Sequence, residues 1–184
     1  YNGEDNPRIF EAWKYSKRAL ELTRNENLTK AIQLLYQKEP FPFQTINFIK
    51  GSNQPLHSDA IHFHTMPANW MVGVWVALED MTEDNGTLVY VPGSHKWDFY
   101  DFQSLGLPVP EYGEQFENYK IYEEFLINLV ETKKAKVNKF ITKKGHALIW
   151  AANLLHGGDV IKDSNLTRKS QAIHYYFEGC DHYY

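Results

Sequence analysis

"WMVGVWVALEDMTEDNGTLVYVPGSH", residues 70–95, is the stretch on which the fold turns. Side chains alternate along a strand, so Val72, Val74, Val76 and Leu78 share one face. Met71, Gly73, Trp75 and Ala77 share the other. A row of valines on one face predicts core. Asn85-Gly86 follows as a tight-hairpin signal, because glycine accepts the positive φ that such turns need. "TLVYV" then reads as a short strand, stopped by Pro92-Gly93. The expectation is strand, hairpin, strand.

Similar segments lie on both sides. "FQTINFIKG" (43–51) precedes the stretch, and "KVNKFIT", "GHALIWA" and "SQAIHYYFEG" come later, all rich in β-branched and aromatic residues. The first forty residues read differently. Ile9, Trp13, Ala19-Leu20, Ala31, Leu34 and Leu35 recur at helical intervals, broken at Asn25–Asn27 and ended by Pro40 and Pro42. Residues 98–135 interrupt the strands with a polar, proline-containing loop and a helix around "FENYKIYEEFLINLVETK". Many short strands without a βαβ rhythm predict a mainly β fold with flanking helices, a sandwich or small barrel. One domain over residues 1–184 is expected, with 1–40 as helical support and 98–135 as an insertion over the pocket.

Composition narrows the class. With 43% hydrophobic and 15% aromatic residues, the chain suits a globular fold and not a disordered one. The net charge of -4 comes without a block of like charge, so neither nucleic acid nor a membrane surface is an expected partner. No apolar run reaches membrane-spanning length. Cys180 is the only cysteine, which excludes an intrachain disulfide and favours a reducing compartment, the cytoplasm. The sequence opens on Tyr1 and not on Met, so it is read as able to belong to a longer chain. Oligomeric state is open.

Chemistry concentrates in "HSDAIHFHTM", residues 57–66. In a strand His57 and Asp59 would project together, and a second imidazole from elsewhere would complete two histidines and one carboxylate. Such a set leaves half of an octahedron open, as non-haem Fe(II) oxygenases require. His156, in "WAANLLHGGD", follows a strand-like "ALIW" and precedes Gly157-Gly158, where backbone can pass close to a ligand. Arg168 and Ser170, in "TRKSQAIHYYF", share a strand parity and offer a guanidinium fork and a hydroxyl to one carboxylate. Each piece alone is common; their order along the chain is what carries weight.

"HSD", "GVWVALEDMTEDNGTLVYVPGSHK", "LLHGGD" and "TRKSQAIHYYF" resemble the phytanoyl-CoA dioxygenase (PhyH) family of Fe(II)/2-oxoglutarate oxygenases, from Phe43 to Phe177, with the helical N-terminus and the 98–135 insertion outside. The resemblance implies a double-stranded β-helix, the cupin-like jelly roll. It implies Fe(II) on His57, Asp59 and His156, and 2-oxoglutarate held by Arg168 with Ser170 and lying against Trp75. O2 and 2-oxoglutarate would be consumed, succinate and CO2 released, and a C–H bond of a small-molecule substrate hydroxylated. Asp59 stands where related halogenases carry a small residue, which favours hydroxylation over halogenation.

Two other readings stand beside this one. A metal-dependent cupin-type enzyme without 2-oxoglutarate, an isomerase or zinc hydrolase, would lack Arg168-x-Ser170. A non-catalytic jelly-roll binding module would have no need of the intact set. No basic cluster marks a CoA-phosphate site, so the family's name does not give the substrate. Other polar residues receive bland expectations. Gln44 and Asn47 are read as solvated on an edge strand, and His62 and His64 as exposed or satisfied, with one of them at the pocket mouth. His95 is read as fixing its turn by hydrogen bonding, and His174 as a core histidine bonded to a neighbour. Trp97, Phe99, Tyr100, Phe102 and Tyr112 are expected to pack the insertion against the barrel. Cys180 and His182 make a poor metal site by themselves.

Overall fold

The computed structural model describes residues 8–108 and 116–183. In chain order its elements are β1 (Arg8–Phe10), α1 (Lys17–Thr23), α2 (Glu26–Tyr36), β2 (Pro40–Phe48), β3 (His64–Met66), β4 (Met71–Ala77) and β5 (Leu88–Tyr90). Then follow α3 (Phe116–Thr132), β6 (Asn138–Lys139), β7 (Ala147–Ala151), β8 (His156–Gly158), β9 (Ser170–Phe177) and β10 (Asp181–Tyr183). A five-stranded sheet runs β1-β2-β9-β4-β7, a three-stranded sheet β6-β5-β8, and a two-stranded pair β10-β3. All pairings are antiparallel. This is the mainly β fold with flanking helices that the strand pattern predicted, and the jelly roll that the resemblance implied.

Both faces of β4 are buried, for different reasons. Val72, Val74 and Val76 pack with Ile173, Tyr175 and Phe177 of β9 beneath Ile32 of α2. Trp75 and Ala77 point the other way, into a cluster with Leu88, Trp150, Leu154 and Ala172 that includes residues of both sheets. The helices start as their caps dictate: Ser16 Oγ accepts from the Ala19 amide, and Asn25 Oδ1 accepts from the amides of Asn27 and Leu28. Asn25 is thus the break between α1 and α2. The stripe of α2 that meets the sheet holds Leu28, Ile32 and Tyr36. Leu34 and Leu35, expected on an apolar stripe, are 74% and 65% exposed because they fall outside that i, i+4 row.

The structure corrects several expectations. Residues 8–10 are a strand and not helix, since pairing with Ile46–Phe48 covers the edge of β2 and outweighs a three-residue local preference. That pairing makes β2 an interior strand, so Gln44 and Asn47 are not solvated at an edge. The segment "KVNKFIT" shortens to the two residues of β6. Asn85-Gly86 does not close a hairpin, because β4 and β5 lie in different sheets. Gly86 has the expected positive φ of 68°, but the turn serves a crossover. Asn85 fixes it, accepting from the Thr82 amide and donating to the carbonyls of Asp80 and Thr167. No helix among the described residues is long and apolar enough to cross a membrane.

Candidate active site

His57 and His156, far apart in the chain, meet in an isolated β-bridge: each amide donates to the other's carbonyl, at 2.9 and 3.0 Å. Asp59 does not continue a strand. It opens a short 3₁₀ turn, Asp59–Ile61, capped by Ser58, whose Oγ accepts from the Ala60 amide. Bridge and turn together, and not strand parity, bring the pair to one point. One ligand atom from each of His57, Asp59 and His156 lies within 4.8 Å of the others, and all three residues are buried.

The hydrogen bonds around the rings decide which nitrogens face inward. His57 Nδ1 lies 2.9 Å from the Pro55 carbonyl, and His156 Nδ1 lies 3.0 Å from the Leu154 carbonyl. A carbonyl accepts only, so both Nδ1 atoms carry protons and, in the neutral rings, both Nε2 atoms present lone pairs. His156 Nε2 then faces Asp59 Oδ1 at 3.6 Å, acceptor against acceptor. A cation between them resolves that opposition, which fits the donor chemistry of a divalent metal. Burial, aided by neighbouring His156, pushes His57 down to about 3 and keeps it neutral as a ligand must be. For Asp59 burial acts upward, yet positive charge on His156, His174 or His57 when protonated, and the hydrogen bond from His174, hold its carboxyl below the usual carboxylate range.

A cavity of about 180 Å³ opens on these residues. Trp75, Arg168, His174 and Gln44 line it, together with His62 and Phe63 at the segment after Asp59. Arg168 is 1% exposed, with its guanidinium 5.4 Å from the Trp75 ring and 5.0 Å from that of Phe48. Its Nη2 donates to the Lys50 carbonyl at 3.4 Å, while its buried Nε has no partner among the described residues. Burial, with Arg8 nearby, lowers the guanidinium to about 10. A buried cation so poorly compensated costs several kcal/mol unless an anion joins it, on the order of the penalty for an unpaired buried charge. Ser170 is buried but is not among the residues lining the cavity; its Oγ donates to the Arg168 carbonyl.

Sequence reasoning underrated or missed five residues. His174 is cavity-lining, with Nδ1 2.9 Å from Gln44 Oε1 and Nε2 3.5 Å from Asp59 Oδ2. Gln44, expected in solvent, is therefore inside. Trp150 donates its indole N–H to Asp59 Oδ2 at 2.7 Å. Gln54 places its amide nitrogen 3.2 Å from His57 Nε2 and accepts from Arg8 through Oε1. Arg8, on the strand that was read as helix, lines the cavity beside Phe48. Strand parity could have flagged His174 and Gln44. Trp150, Gln54 and Arg8 depend on cross-strand register, which no local pattern reports.

Other expectations resolve in detail. Gly157 and Gly158 make room for chain: a Cβ on Gly157 would lie 2.7 Å from the Gln54 carbonyl oxygen, and one on Gly158 2.5 Å from Ser52 Oγ. Ser94, and not His95, fixes the turn after β5, accepting from the Leu155 amide at 2.9 Å, while exposed His95 gives only its carbonyl to Asn153. His62 sits at the mouth, 3.3 Å from the Tyr119 hydroxyl of α3. Trp97 and Phe102 pack against α3, and Phe99 and Tyr100 line a separate void of about 20 Å³, so the described aromatics of this stretch pack the insertion as expected. Tyr112 lies outside the described residues.

Comparison with known proteins adds a family to this geometry. The profile of the Phytanoyl-CoA dioxygenase (PhyH) family matches residues 6–169, which takes in the N-terminal helices and the 98–135 segment that the sequence reading left outside. Human "Phytanoyl-CoA dioxygenase, peroxisomal" is 31% identical over 136 residues, covering 73% of this chain and 36% of that protein. "Phytanoyl-CoA dioxygenase domain-containing protein 1" of Danio rerio is 35% identical over 83 residues, covering 43% and 28%. The chain thus spans about a third of the length of these curated relatives. Among solved structures, EctD from S. alaskensis with 2-oxoglutarate and 5-hydroxyectoine superposes with a TM-score of 0.70 at 22% identity, over 92% of this chain and 56% of that one. At such identity the likeness shows the shared fold. Because the profile covers most of its length, the chain belongs to the phytanoyl-CoA dioxygenase (PhyH) family.

Proposed function

We propose that this chain is the oxygenase domain of a non-haem Fe(II)/2-oxoglutarate-dependent dioxygenase that hydroxylates a C–H bond of a small molecule, releasing succinate and CO2. The observation that carries the reading is the opposition of charge-seeking groups in one cavity. Acceptor atoms of His57, Asp59 and His156 converge on one point, and the Arg168 guanidinium is buried in the same cavity with its Nε unpartnered among the described residues. A divalent metal satisfies the first set and the distal carboxylate of 2-oxoglutarate the second. The EctD structure with 2-oxoglutarate supports the pairing by analogy of fold.

On this reading, His57, Asp59 and His156 would hold Fe(II), with the cavity beside them giving room for co-substrate. Bound iron supplies the redox chemistry that couples decarboxylation of 2-oxoglutarate to C–H oxidation. Arg168 orients the co-substrate through its far carboxylate, with Trp75 against it and Ser170 steadying the Arg168 backbone. Phe48, Phe63 and Trp75 exclude water from the reacting end. Residues 1–184 act as one domain, with α1 and α2 supporting the sheet and the 98–135 segment meeting the mouth through Tyr119. Its partner is a small-molecule substrate, not nucleic acid or membrane. The single cysteine supports the cytoplasm as the compartment.

The test is direct. Protein loaded anaerobically with Fe(II) and then given 2-oxoglutarate and O2 should release succinate, slowly and uncoupled when no substrate is present. Failure of the metal-loaded protein to bind 2-oxoglutarate or form succinate would reject the reading.

A further inference from the structure

Four residues cross four adjacent strands in one row: Gln44 of β2 opposite His174 of β9, His174 opposite Gly73 of β4, and Gly73 opposite Trp150 of β7. Two side chains of the row, Trp150 and His174, reach the same atom. Trp150 Nε1 is 2.7 Å from Asp59 Oδ2, and His174 Nε2 is 3.5 Å from it. Gln44 holds His174 from behind through its Nδ1, at 2.9 Å. Between them Gly73 carries no side chain. A Cβ there would overlap Cε2, Cζ2 and Nε1 of the Trp150 ring. The glycine is therefore the seat that lets the indole lie across β4 with its N–H on the carboxylate. Its backbone φ is unexceptional, so space and not conformation is the reason for glycine.

We infer that this row is a cradle for one oxygen of Asp59, with Trp150 as its principal positioning residue and Gly73 as the residue that makes room. The inference rests on the metal reading above. A carboxylate can bind an ion through one oxygen or through both. With Oδ2 engaged by a short, charge-assisted hydrogen bond, Oδ1 is the oxygen presented to the other two members of the triad, 3.6 Å from His156 Nε2 and 4.0 Å from His57 Nε2. One-oxygen ligation keeps a coordination position open that two-oxygen ligation would fill. Trp150 also packs on the His156 ring, with centroids 4.6 Å apart, so the same indole steadies two of the three ligands. Outer partners of this kind change metal affinity by roughly 10- to 100-fold when removed.

Co(II), which does not oxidise on the bench, is the probe. In the whole chain, Trp150→Phe keeps an aromatic ring but loses the donor. Co(II) affinity should fall roughly 10- to 100-fold, the visible ligand-field spectrum of the bound ion should change, and 2-oxoglutarate should bind the Co(II)-loaded protein more weakly. Gly73→Ala keeps the indole but displaces it, and should shift all three readings in the same direction; it decides the matter if Trp150→Phe does not fold. Trp70→Phe, which removes an indole packed on Phe177 in the outer core, should leave Co(II) affinity and spectrum unchanged. A wild-type protein that binds Co(II), with folded Trp150→Phe and Gly73→Ala of equal affinity and identical spectrum, overturns the cradle alone. A wild-type protein that binds no Co(II) overturns the metal reading, and the cradle with it.

Discussion

Strand β9 has two buried faces that treat polarity in opposite ways. On the face toward the helices, Gln171 donates to Thr23 Oγ1 and to the Ala19 carbonyl, and the Tyr175 hydroxyl donates to the Thr23 carbonyl at 2.7 Å. Every one of those bonds closes within the protein and docks α1 on the sheet. On the face toward the cavity, His174 leans on Gln44 and Asp59, and the adjoining Arg168 keeps a buried Nε with no partner among the described residues. Burial is equal, since Gln171 and Arg168 are each 1% exposed. Along β9 itself, the two faces differ in whether the buried polar side chains find partners inside the fold.

Substitutions can break that contrast. The largest effect is expected from Asp59→Ala, which removes the only carboxylate of the triad: Fe(II) binding and succinate release should both disappear, the first read by equilibrium dialysis. Next comes Arg168→Ala. A hydrogen bond to a charged group contributes about 1.5–3 kcal/mol, so the 2-oxoglutarate concentration for half-maximal turnover should rise roughly 10- to 100-fold. An unchanged requirement would remove Arg168 from the role of clamp. On the other face, Tyr175→Phe strips the donor from the Thr23 carbonyl and should lower stability by about 1–3 kcal/mol in denaturant titration. Metal affinity should stay where it was, and an equal loss of metal affinity would show that the two faces are not separable.

The smallest effect lies at the sheet edge. Burial acts to raise the Glu11 carboxyl, but bonds from the Trp13 indole and the Thr45 amide, with Lys14 adjacent, leave it below its ordinary value of 4.5. A group depressed in the folded state stabilises the protein above the unfolded value and loses that contribution as pH falls through the folded one. Melting temperature should therefore drop on acidification below about 4.5, and Glu11→Gln should flatten that part of the profile.

How far the sequence was legible follows the same division. The valines of β4 and the alternation of β9 report themselves, because two-residue periodicity is a local property. His57, Asp59 and His156 were readable from residue type and order. Trp150 and Gly73 were not, because their roles exist only once β7 lies against β4 in one register. Asn85-Gly86 shows the limit of a turn signal: glycine reports the sign of φ at its own position, not the sheet that the next strand will join. Arg8 was hidden by helix-like spacing in a segment too short for spacing to decide.

The bridge between His57 and His156 has a kinetic corollary. The two imidazoles are riveted to each other through main chain, so spreading the strands apart and dismantling the proposed coordination shell would be one event. An ion seated there would act as a clasp, raising the unfolding free energy with its concentration. Its fastest route of escape would be local breathing of that single rung, which amide exchange at residues 57 and 156 would time.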